Sequence, residues 1–228
     1  MKKAEYVSAD EAVSHIKSGG HIHLSSVASV PHCLVQALCR RADAGDVRDL
    51  HFHHFHTEGP APYSEPGYDG VFFDQGFFIG PNVRANVNSG YADYLPVHLG
   101  ESAGLYRKGV IRLEAALVNI SLPDKDGNVS LGTSVDCSVA AVETARLVVG
   151  VVNPNVPFSY GHTLNINQFD YLVEDDTPLV TAGFAEPTPT EMIIGRNCAA
   201  LVEDGDCIQM GIGALPNALA GELSGHRN

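Results

Sequence analysis

The sequence predicts an α/β fold: a mostly parallel sheet with helices on both faces. Over the first 56 residues, short apolar runs alternate with segments of helical period, a pattern typical of βαβ units. Two later runs, 115–120 and 146–152, are mostly apolar, as strands buried on both faces are. With 228 residues, 44% of them hydrophobic, the chain can bury a sizeable core, as one large domain or two small ones.

The N-terminal elements follow from capping and breaking residues. Ser8-Ala9-Asp10-Glu11 has the pattern of a capping box, in which the first and last side chains each accept from the other's backbone amide. The helix is expected over 9–18, because Gly19-Gly20 ends it. Three further elements are predicted: a strand over 21–24, a helix opened by Pro31, and a strand over 50–56.

The middle of the chain is divided by a stretch rich in proline and glycine, residues 57–96. These residues interrupt any long periodic segment, so we expect a long loop, of a kind that is usually functional. Regular structure is then expected again: a helix over 96–108, a strand over 115–120, a helix starting near Asp136 with Val139 and Val142 inward, and a strand over 146–152.

The last third contains a second capping box, Thr188-Pro189-Thr190-Glu191, with proline at the first helical position. The helix that follows is ended by Gly205. It is expected to present an apolar stripe made of Ile194, Cys198, Leu201 and Val202. A strand over 207–210, a tight glycine turn over 211–213 and a helix running from Pro216 through Leu223 complete the prediction.

Charge and composition exclude several classes of protein. The net charge of −13, from 14 basic and 27 acidic residues, argues against nucleic acid and anionic membranes as partners. No apolar run approaches the roughly 20 residues that span a bilayer, and the N-terminus lacks the apolar core of a signal peptide. Five scattered cysteines without C-x-x-C spacing indicate reduced thiols. We therefore expect a cytoplasmic protein.

The strongest local signal is the glycine turn in the segment Gln209–Asn217. Gly211 and Gly213, with Ile212 between them, would let the backbone approach a ligand, and the amides at the start of the next helix could face negative charge. A plain tight turn explains the same residues equally well. A nicotinamide site is a weaker alternative, because Pro216 replaces the third glycine of that motif.

Histidines are concentrated early in the chain, and 51–56 reads His-Phe-His-His-Phe-His. Strand alternation would put His51 and His53 on one face and His54 and His56 on the other. Two histidines on a face could begin a zinc site, but no second cluster of ligands at suitable spacing completes it. We expect histidines near a cleft and no metal. The commonest hydrolase and phosphate-binding motifs are also missing.

One polar segment directly follows a predicted buried strand. Asn153-Pro154-Asn155-Val156-Pro157 comes after 146–152, and residues at the carboxyl end of a parallel strand are natural ligand contacts. A turn without function is an equally simple explanation for this segment.

Taken together, these segments resemble the acetyl-CoA hydrolase/transferase family, in particular its 4-hydroxybutyrate CoA-transferase-like branch. The glycine motif, Gln209 through Ala218 preceded by Glu203-Asp204-Gly205, carries the resemblance most specifically. Looser matches are Asn153 through Pro157 with Tyr160-Gly161, Ser121-Leu122-Pro123 with Asp126-Gly127, and Arg84 with Gly90-Tyr91 and Pro96. The likeness runs from about Ser8 to Asn228.

The resemblance implies a fold of the CoA-transferase type, in which 1–228 is the N-terminal domain of two. It implies transfer of coenzyme A between carboxylates through an anhydride and then a thioester on an enzyme glutamate. That glutamate is expected just beyond Asn228, so none of the residues here is catalytic and the fragment alone is inactive. Coenzyme A is then a substrate, no other cofactor is implied, and the full-length protein is expected to form a dimer.

The resemblance also suggests which residues contact substrate or coenzyme A: Gly211, Ile212, Gly213, Gln209, Asn217, Asn153 and Tyr91. Two alternatives stay open for the activity. In acyl-CoA hydrolysis, water resolves the same intermediate. In a non-catalytic subunit or binding module, the same sheet has no reaction to perform, since such sheets host unrelated functions.

Overall fold

The computed structural model describes residues 4–181, 183 and 186–227, and the chain divides after Thr181 into two units. The first unit is built on an eight-stranded parallel sheet. Its strands are β1 (Glu5–Tyr6), β2 (His21–Leu24), β3 (Leu50–His53), β4 (Phe72–Gly76), β5 (Ala92–Tyr94), β6 (Leu113–Ile120), β8 (Leu147–Val152) and β10 (Tyr171–Glu174). Strands β7 (Asn128–Ser130) and β9 (Thr163–Asn165) form a separate antiparallel pair.

The order of the strands is β1-β10-β8-β6-β2-β3-β4-β5, and every neighbouring pair in this sheet is parallel. From β2 the chain moves outward through β3, β4 and β5, and then returns to place β6 on the other side of β2. The direction of winding therefore reverses between β2 and β6. Ligands of such sheets bind outside the carboxyl ends of the strands at this reversal.

Helices cover both faces of the sheet, as the sequence predicts. On one face lie α1 (Ala9–Ser14) and α2 (His32–Asp43), which bury Val13, Leu34 and Leu38. On the other lie α4 (Leu99–Arg107) and α5 (Ser138–Thr144), where Tyr106 and Ala141 pack with Leu113. A short helix, α3 (Arg84–Asn88), precedes β5. The predicted α/β class with helices on both faces is confirmed.

The first helix begins as predicted and ends early. Ser8 accepts from the amide of Glu11 at 3.1 Å, which confirms the N-terminal cap. The helix stops at Ser14 and not at residue 18. The carbonyls that follow accept hydrogen bonds from arginine side chains. Arg146 donates to the carbonyl of His15 at 2.9 Å, and Arg41 donates to that of Ile16 at 3.0 Å. These donors satisfy groups that another helical turn would have used.

The expected long loop over 57–96 is wrong. This stretch contributes β4 and β5 to the sheet, together with α3 and two short 3-10 turns, Pro62–Ser64 and Pro66–Tyr68. In β4 the side chains alternate between buried and half-buried, and Phe72 and Asp74 are buried. The strands were missed because they are short and contain Asp, Gln and Gly, so that pairing with neighbouring strands decides their structure.

The second unit contains α6 (Pro189–Ala199) and α7 (Ala214–Glu222). The predicted capping box is confirmed: Thr188 donates its amide to Glu191 at 2.7 Å and accepts from the amide of Glu191 at 3.3 Å. The two helices meet at Gly195, where a Cβ would lie 3.1 Å from the backbone of Ala218.

Two predictions for this unit are wrong. Residues 207–210 form no strand, because the described part of the unit contains no other strand with which they could pair. The helix does not run to Gly205 either, because α6 ends at Ala199, before Leu201 and Val202 of the expected stripe. Leu201 is 83% exposed, and Ile194 and Cys198 are also exposed. Gly195 is the residue of α6 that is buried, since it lies against α7.

The five cysteines are free. Cys137 is buried and Cys33 and Cys39 are half-buried, in keeping with packed thiols, whereas Cys198 and Cys207 are exposed. Burial raises the pKa of the Cys33 thiol to about 12, and the nearby Asp175 carboxylate adds to the shift. Within the described ranges, no helix combines the length and apolar character that a bilayer crossing requires.

Candidate binding site at the carboxyl ends of the strands

The carboxyl ends of β2 and β6 are tied together by buried polar groups. The amide of Ser25, the first residue after β2, donates to the carbonyl of Leu117 at 3.1 Å. The hydroxyl of Ser25 accepts from the amide of Asn119 at 3.3 Å. Ser26 accepts from the amide of Phe55 at 2.9 Å, which fixes the segment after β3. Hydrogen bonds to Ser25 and Ser26 therefore connect the strand ends on both sides of the winding reversal.

A cavity of about 10 Å³ lies at this edge. A space of that size holds roughly one water molecule. Its lining comes from the segment after β2, the start of α2, the ends of β6 and β8, and the segment after β10: Ala28, Val30, His32, Asn119, Asn153, Asp175, Thr177, Pro178, Leu179 and Val180. All of these residues belong to the first unit.

Two polar atoms in this lining have no hydrogen-bond partner among the described residues. They are Oδ1 of Asn119, a residue that is 3% exposed, and Nε2 of His32. Burial lowers the pKa of His32, although Asp175 and the backbone at Glu58 oppose the shift. The ring is therefore neutral near pH 7. A neutral imidazole and a carboxamide can each hydrogen-bond to an uncharged polar group.

Asn153, predicted as a ligand contact, lies at this cavity and is buried. Its Nδ2 donates to the carbonyl of Thr177 at 2.8 Å, and its Oδ1 accepts from the amide of Asn155 at 2.8 Å. Asn155 donates to the carbonyl of Asp176 at 2.8 Å. In this structure both asparagines thus hold the segment that follows β10 over the cavity.

Tyr91 is placed elsewhere. It is 41% exposed and directly precedes β5. Strand β5 forms one side of the sheet and is separated from β6 by β2, β3 and β4. Because all strands of the sheet are parallel, the start of β5 lies among the amino ends of the strands, on the side of the sheet opposite to their carboxyl ends. The structure therefore does not bring Tyr91 together with Asn153, and a substrate contact by Tyr91 stays a prediction.

The glycine turn lies in the second unit and is open. Ile212 is 96% exposed, and a Cβ on Gly211 would meet no atom within 4 Å. Gly213 has φ 139° and immediately precedes α7, a conformation that favours glycine. The side chain of Gln209 donates to the carbonyl of Met210 at 3.0 Å, and the amide of Asn217 donates to the carbonyl of Gly213 at 3.1 Å. Their contacts with substrate stay predictions.

Histidines of β2 and β3 lie close together. Nδ1 of His21 lies 2.8 Å from Nε2 of His53, whose other ring nitrogen has no partner among the described residues. Burial, with neighbouring histidines, lowers the pKa of His53 to about 3. Because β3 ends at His53, the predicted alternation does not continue to His54 and His56.

One group with metal-ligand chemistry does occur in the described part of the chain: His23, Asp136 and Cys137, whose ligand atoms lie within 4.8 Å of one another. Both ring nitrogens of His23 are already hydrogen-bonded, to Tyr106 Oη at 3.2 Å and Ser138 Oγ at 2.9 Å. Ser138 in turn donates to Asp136 at 3.0 Å. The group is a satisfied polar network, and sequence spacing did not reveal it.

Sequence reasoning also missed His32 and Asn119. Asn119 interrupts an otherwise apolar strand, which is a usable signal because a polar residue inside a buried strand requires a partner. His32 follows Pro31 at the start of α2 and carries no comparable signal.

A doubly wound parallel sheet with a polar cavity at its winding reversal defines a class of ligand-binding α/β domains. Residues 2–182 match the model of the acetyl-CoA hydrolase/transferase N-terminal domain. The chain belongs to that family, and the resemblance noted from sequence is confirmed.

Relatives of known name match almost the whole chain. It is 34% identical over 227 residues to 4-hydroxybutyrate coenzyme A transferase of Clostridium kluyveri, covering 99% of this chain and 52% of the relative. It is 33% identical over 221 residues to the succinyl-CoA:acetate/propanoyl-CoA:succinate CoA transferase of Fasciola hepatica, covering 96% and 46%. The chain therefore spans about half the length of these relatives.

Solved structures likewise match nearly the whole chain over about half of their own length. RipA from Yersinia pestis matches with a TM-score of 0.90 and 29% identity, over 97% of this chain and 54% of that one. A 4-hydroxybutyrate CoA-transferase from Porphyromonas gingivalis matches with a TM-score of 0.77 and 30% identity, over 97% and 52%. The CoA-transferase type of fold is thereby confirmed.

Proposed function

We propose that the protein containing this chain is an enzyme that moves coenzyme A between a short-chain acyl-CoA, of the 4-hydroxybutyryl, butyryl or acetyl type, and a free carboxylate. The observation that carries the proposal is the family match over 2–182, joined to relatives named CoA transferases along nearly the whole chain. Since the chain spans about half of those relatives, the activity belongs to the longer protein.

The proposed route has two displacements on one enzyme glutamate. Its carboxylate attacks the thioester carbonyl, the C–S bond breaks, and coenzyme A leaves as the thiolate while an acyl-glutamyl anhydride forms. The thiolate then attacks the glutamyl carbonyl, which releases the acyl group as a free carboxylate and leaves a glutamyl-CoA thioester. The incoming acid repeats these steps in reverse. Covalent catalysis of this kind divides one hard exchange into easier steps.

The nucleophile is proposed to come from beyond Asn228, as the resemblance implies. Glu222, the glutamate nearest the glycine turn on its C-terminal side, has a structural partner instead. Arg196 donates to its carboxylate at 3.3 Å, which joins α6 to α7. A glutamate engaged in such a pair between helices is a poor candidate for the attacking group.

The turn at Gly211, Ile212 and Gly213 is proposed to supply backbone contacts. Each attack on a carbonyl develops negative charge on its oxygen, and backbone amides that point at that oxygen stabilise the transition state. Support comes from the exposure of the turn and from the absence of any atom near a Cβ on Gly211. Gln209 and Asn217 flank the turn.

Several finer features belong to the same proposal. Coenzyme A serves as substrate, and the route requires no metal or further cofactor. The full-length protein is proposed to act as a dimer in the cytoplasm, in keeping with its free cysteines. The net charge of −13 disfavours nucleic acid as a partner.

The experiment is a transfer assay on the full-length protein with each short-chain acyl-CoA and a free carboxylate acceptor. We expect formation of the acceptor's CoA thioester and ping-pong kinetics. Release of free coenzyme A at an equal rate without an acceptor would instead indicate acyl-CoA hydrolysis. A protein that binds acyl-CoA in calorimetry but shows neither reaction would be a non-catalytic module.

A further inference from the structure

We propose that residues 207–210 are a strand of a second sheet, and that the segment following α7 in the longer protein pairs with them in parallel. The occupant of this surface is thus the same chain beyond Asn228, and not a second copy or another protein. The inference concerns how the second unit is built, and it does not rest on the proposed reaction.

The backbone of residues 207–210 has no pairing partner. None of its four amides donates a hydrogen bond among the residues that the structure describes. A row of unpaired amides and carbonyls is what an edge strand presents to another strand. The residues of this segment, Cys-Ile-Gln-Met, are those from which a strand is predicted. The segment therefore has the sequence of a strand and lacks only the neighbour.

The second unit also leaves most of its apolar surface uncovered. Among the described residues of this unit, Gly195 and Ala218 alone are buried. The large apolar side chains that are exposed between the start of α6 and the end of α7 are Ile193, Ile194, Leu201, Ile208, Met210, Ile212 and Leu215. Exposed apolar surface of this kind marks an interaction site. Two helices that bury only a glycine and an alanine form no core of their own, so further chain must cover them.

A cavity of about 150 Å³ beside Ile208 indicates what kind of group covers this surface. Val202, Ile208 and Leu223 contribute apolar lining. The other lining residues are Glu203, Gly205, Asp206, His226 and Arg227. A cavity of that volume accommodates a group about the size of a benzene ring. One aliphatic or aromatic side chain of a neighbouring strand therefore fits beside Ile208.

The last described residues lie next to the same segment. Nε2 of His226 donates to the carbonyl of Val202 at 3.0 Å, and the amide of Arg227 donates to Asp204 at 2.9 Å. The chain therefore continues from a point close to the residues that lead into 207–210. A parallel neighbour begins beside the start of a strand, whereas an antiparallel one begins beside its end. The position of 226–227 favours the parallel arrangement.

The connection has the length that parallel pairing requires. Two parallel strands need a crossover of about a dozen residues or more, usually a helix. Residues 211–227, which contain α7, are long enough for this purpose. Strands that follow one another in sequence are also neighbours in most sheets. The segment after α7 is therefore the expected partner of 207–210.

The relatives contain the additional chain that such a sheet requires. The match to the N-terminal domain of the family ends at residue 182, where the two units divide. The matched region is 52% of the Clostridium kluyveri relative, so almost as many residues again lie outside it. We therefore place the domain boundary near residue 182 and not at 228. The glycine turn then follows a strand of the second sheet, at the carboxyl edge where α/β sheets bind ligands.

Hydrogen exchange measured by mass spectrometry on the full-length protein tests the pairing. We expect the amides of 207–210 to exchange at least about 100-fold more slowly than those of 160–162. The latter stretch is exposed in the first unit, and its amides donate no hydrogen bond among the described residues. Strand β8 serves as the protected reference. Exchange of 207–210 as fast as that of 160–162 would overturn the inference.

Photochemical cross-linking identifies the partner. Benzoylphenylalanine is placed at Ile208 of the full-length protein, and unlabelled and nitrogen-15-labelled copies are refolded together before irradiation. We expect links within one copy, to a peptide C-terminal to Asn228. Links between copies, or to residues 1–181, would reject the proposed occupant. The same group at Val110, which is 70% exposed in the first unit, is the matched control and should not link to that peptide.

The two measurements are independent of turnover. The exchange experiment uses the unaltered protein, so it decides the question if the protein labelled at Ile208 does not fold. Failure of the full-length protein to transfer coenzyme A would reject the proposed function and leave this inference standing.

Discussion

Nε2 of His54 lies 2.8 Å from Oδ1 of Asp74, and both side chains are withdrawn from solvent. Asp74 is in the middle of β4, and His54 directly follows β3. Burial acts to lower the pKa of His54, but the Asp74 carboxylate outweighs it, and the pKa is raised. The contact therefore joins β4 to the residue that follows β3, and it is an ion pair at pH values below the raised pKa of His54.

Removing one partner of this pair should be costly. Asp74→Asn leaves an imidazolium without its counter-charge, and we expect a loss of about 3–5 kcal/mol in the free energy of unfolding. Urea denaturation measures it. Asp93→Asn, the same change at an exposed position in β5, is the control and should cost less than about 0.5 kcal/mol. Equal effects of the two variants would show that the pair adds no stability.

The buried histidines predict instability in acid. Burial is the main cause that lowers the pKa of His53 to about 3 and that of His23 to about 4, below the ordinary value of 6.5. The unfolded chain binds these protons first, so their stabilising contribution is full above pH 6.5 and is lost as pH falls toward 4 and 3. The raised pKa of His54 acts in the opposite sense: its contribution is present below pH 6.5 and is lost as pH rises through the raised value.

His53→Gln isolates one of these protons. Between pH 6 and pH 5 the free energy of unfolding of the variant should fall less steeply than that of the unaltered protein, by up to about 1.4 kcal/mol per pH unit. Urea denaturation at both pH values measures the slopes. The exposed His98, changed to Gln, serves as control and should keep the original slope. An unaltered slope in His53→Gln would contradict the assignment of a lowered pKa.

Gly150 is a packing constraint inside β8. A Cβ there would lie 2.8 Å from Phe169 and 2.9 Å from Ile120, closer than side chains normally approach. Gly150→Ala should therefore destabilise the protein by about 1–3 kcal/mol, as overpacked cores do. Gly100→Ala in α4, where a Cβ meets no atom within 4 Å, should be neutral or stabilising. Thermal unfolding of the two variants decides; a stable Gly150→Ala protein would mean that the core yields easily.

The role of the glycine turn is tested by Gly213→Val in the full-length protein. The positive φ of Gly213 and the proposed backbone contacts both disfavour a branched side chain, so we expect loss of CoA transfer with the fold largely kept. Circular dichroism and transfer rates are the measurements. Gly67→Val, at an open position of the first unit, should retain activity. Unchanged kinetics in Gly213→Val would remove the turn from the site.

The sequence was informative wherever local chemistry decides structure. The caps at Ser8 and Thr188 and the strand at 21–24 were predicted because their side chains or breakers act on neighbouring backbone. The strands β4 and β5 and the early end of α1 were not predicted, because residues distant in sequence determine them. The strands depend on their parallel neighbours, and the end of the helix depends on Arg146.

The candidate site divides in the same way. Asn153 was predicted because it directly follows a recognisable buried strand, and the structure places it at the cavity. That His32 and Asn119 line one cavity depends on where α2 packs relative to β6, a long-range arrangement that no spacing in the sequence encodes. Local motifs thus placed Asn153 at the carboxyl ends of the strands, where the structure has it, but did not identify the other side chains that line the cavity.

Covalent trapping tests the proposed CoA transfer most directly. The full-length protein is incubated with an acyl-CoA, reduced with borohydride and analysed by peptide mass spectrometry. We predict inactivation that depends on acyl-CoA, with a single glutamate C-terminal to Asn228 reduced to the alcohol. Turnover that survives borohydride, with no modified glutamate, would contradict the covalent route.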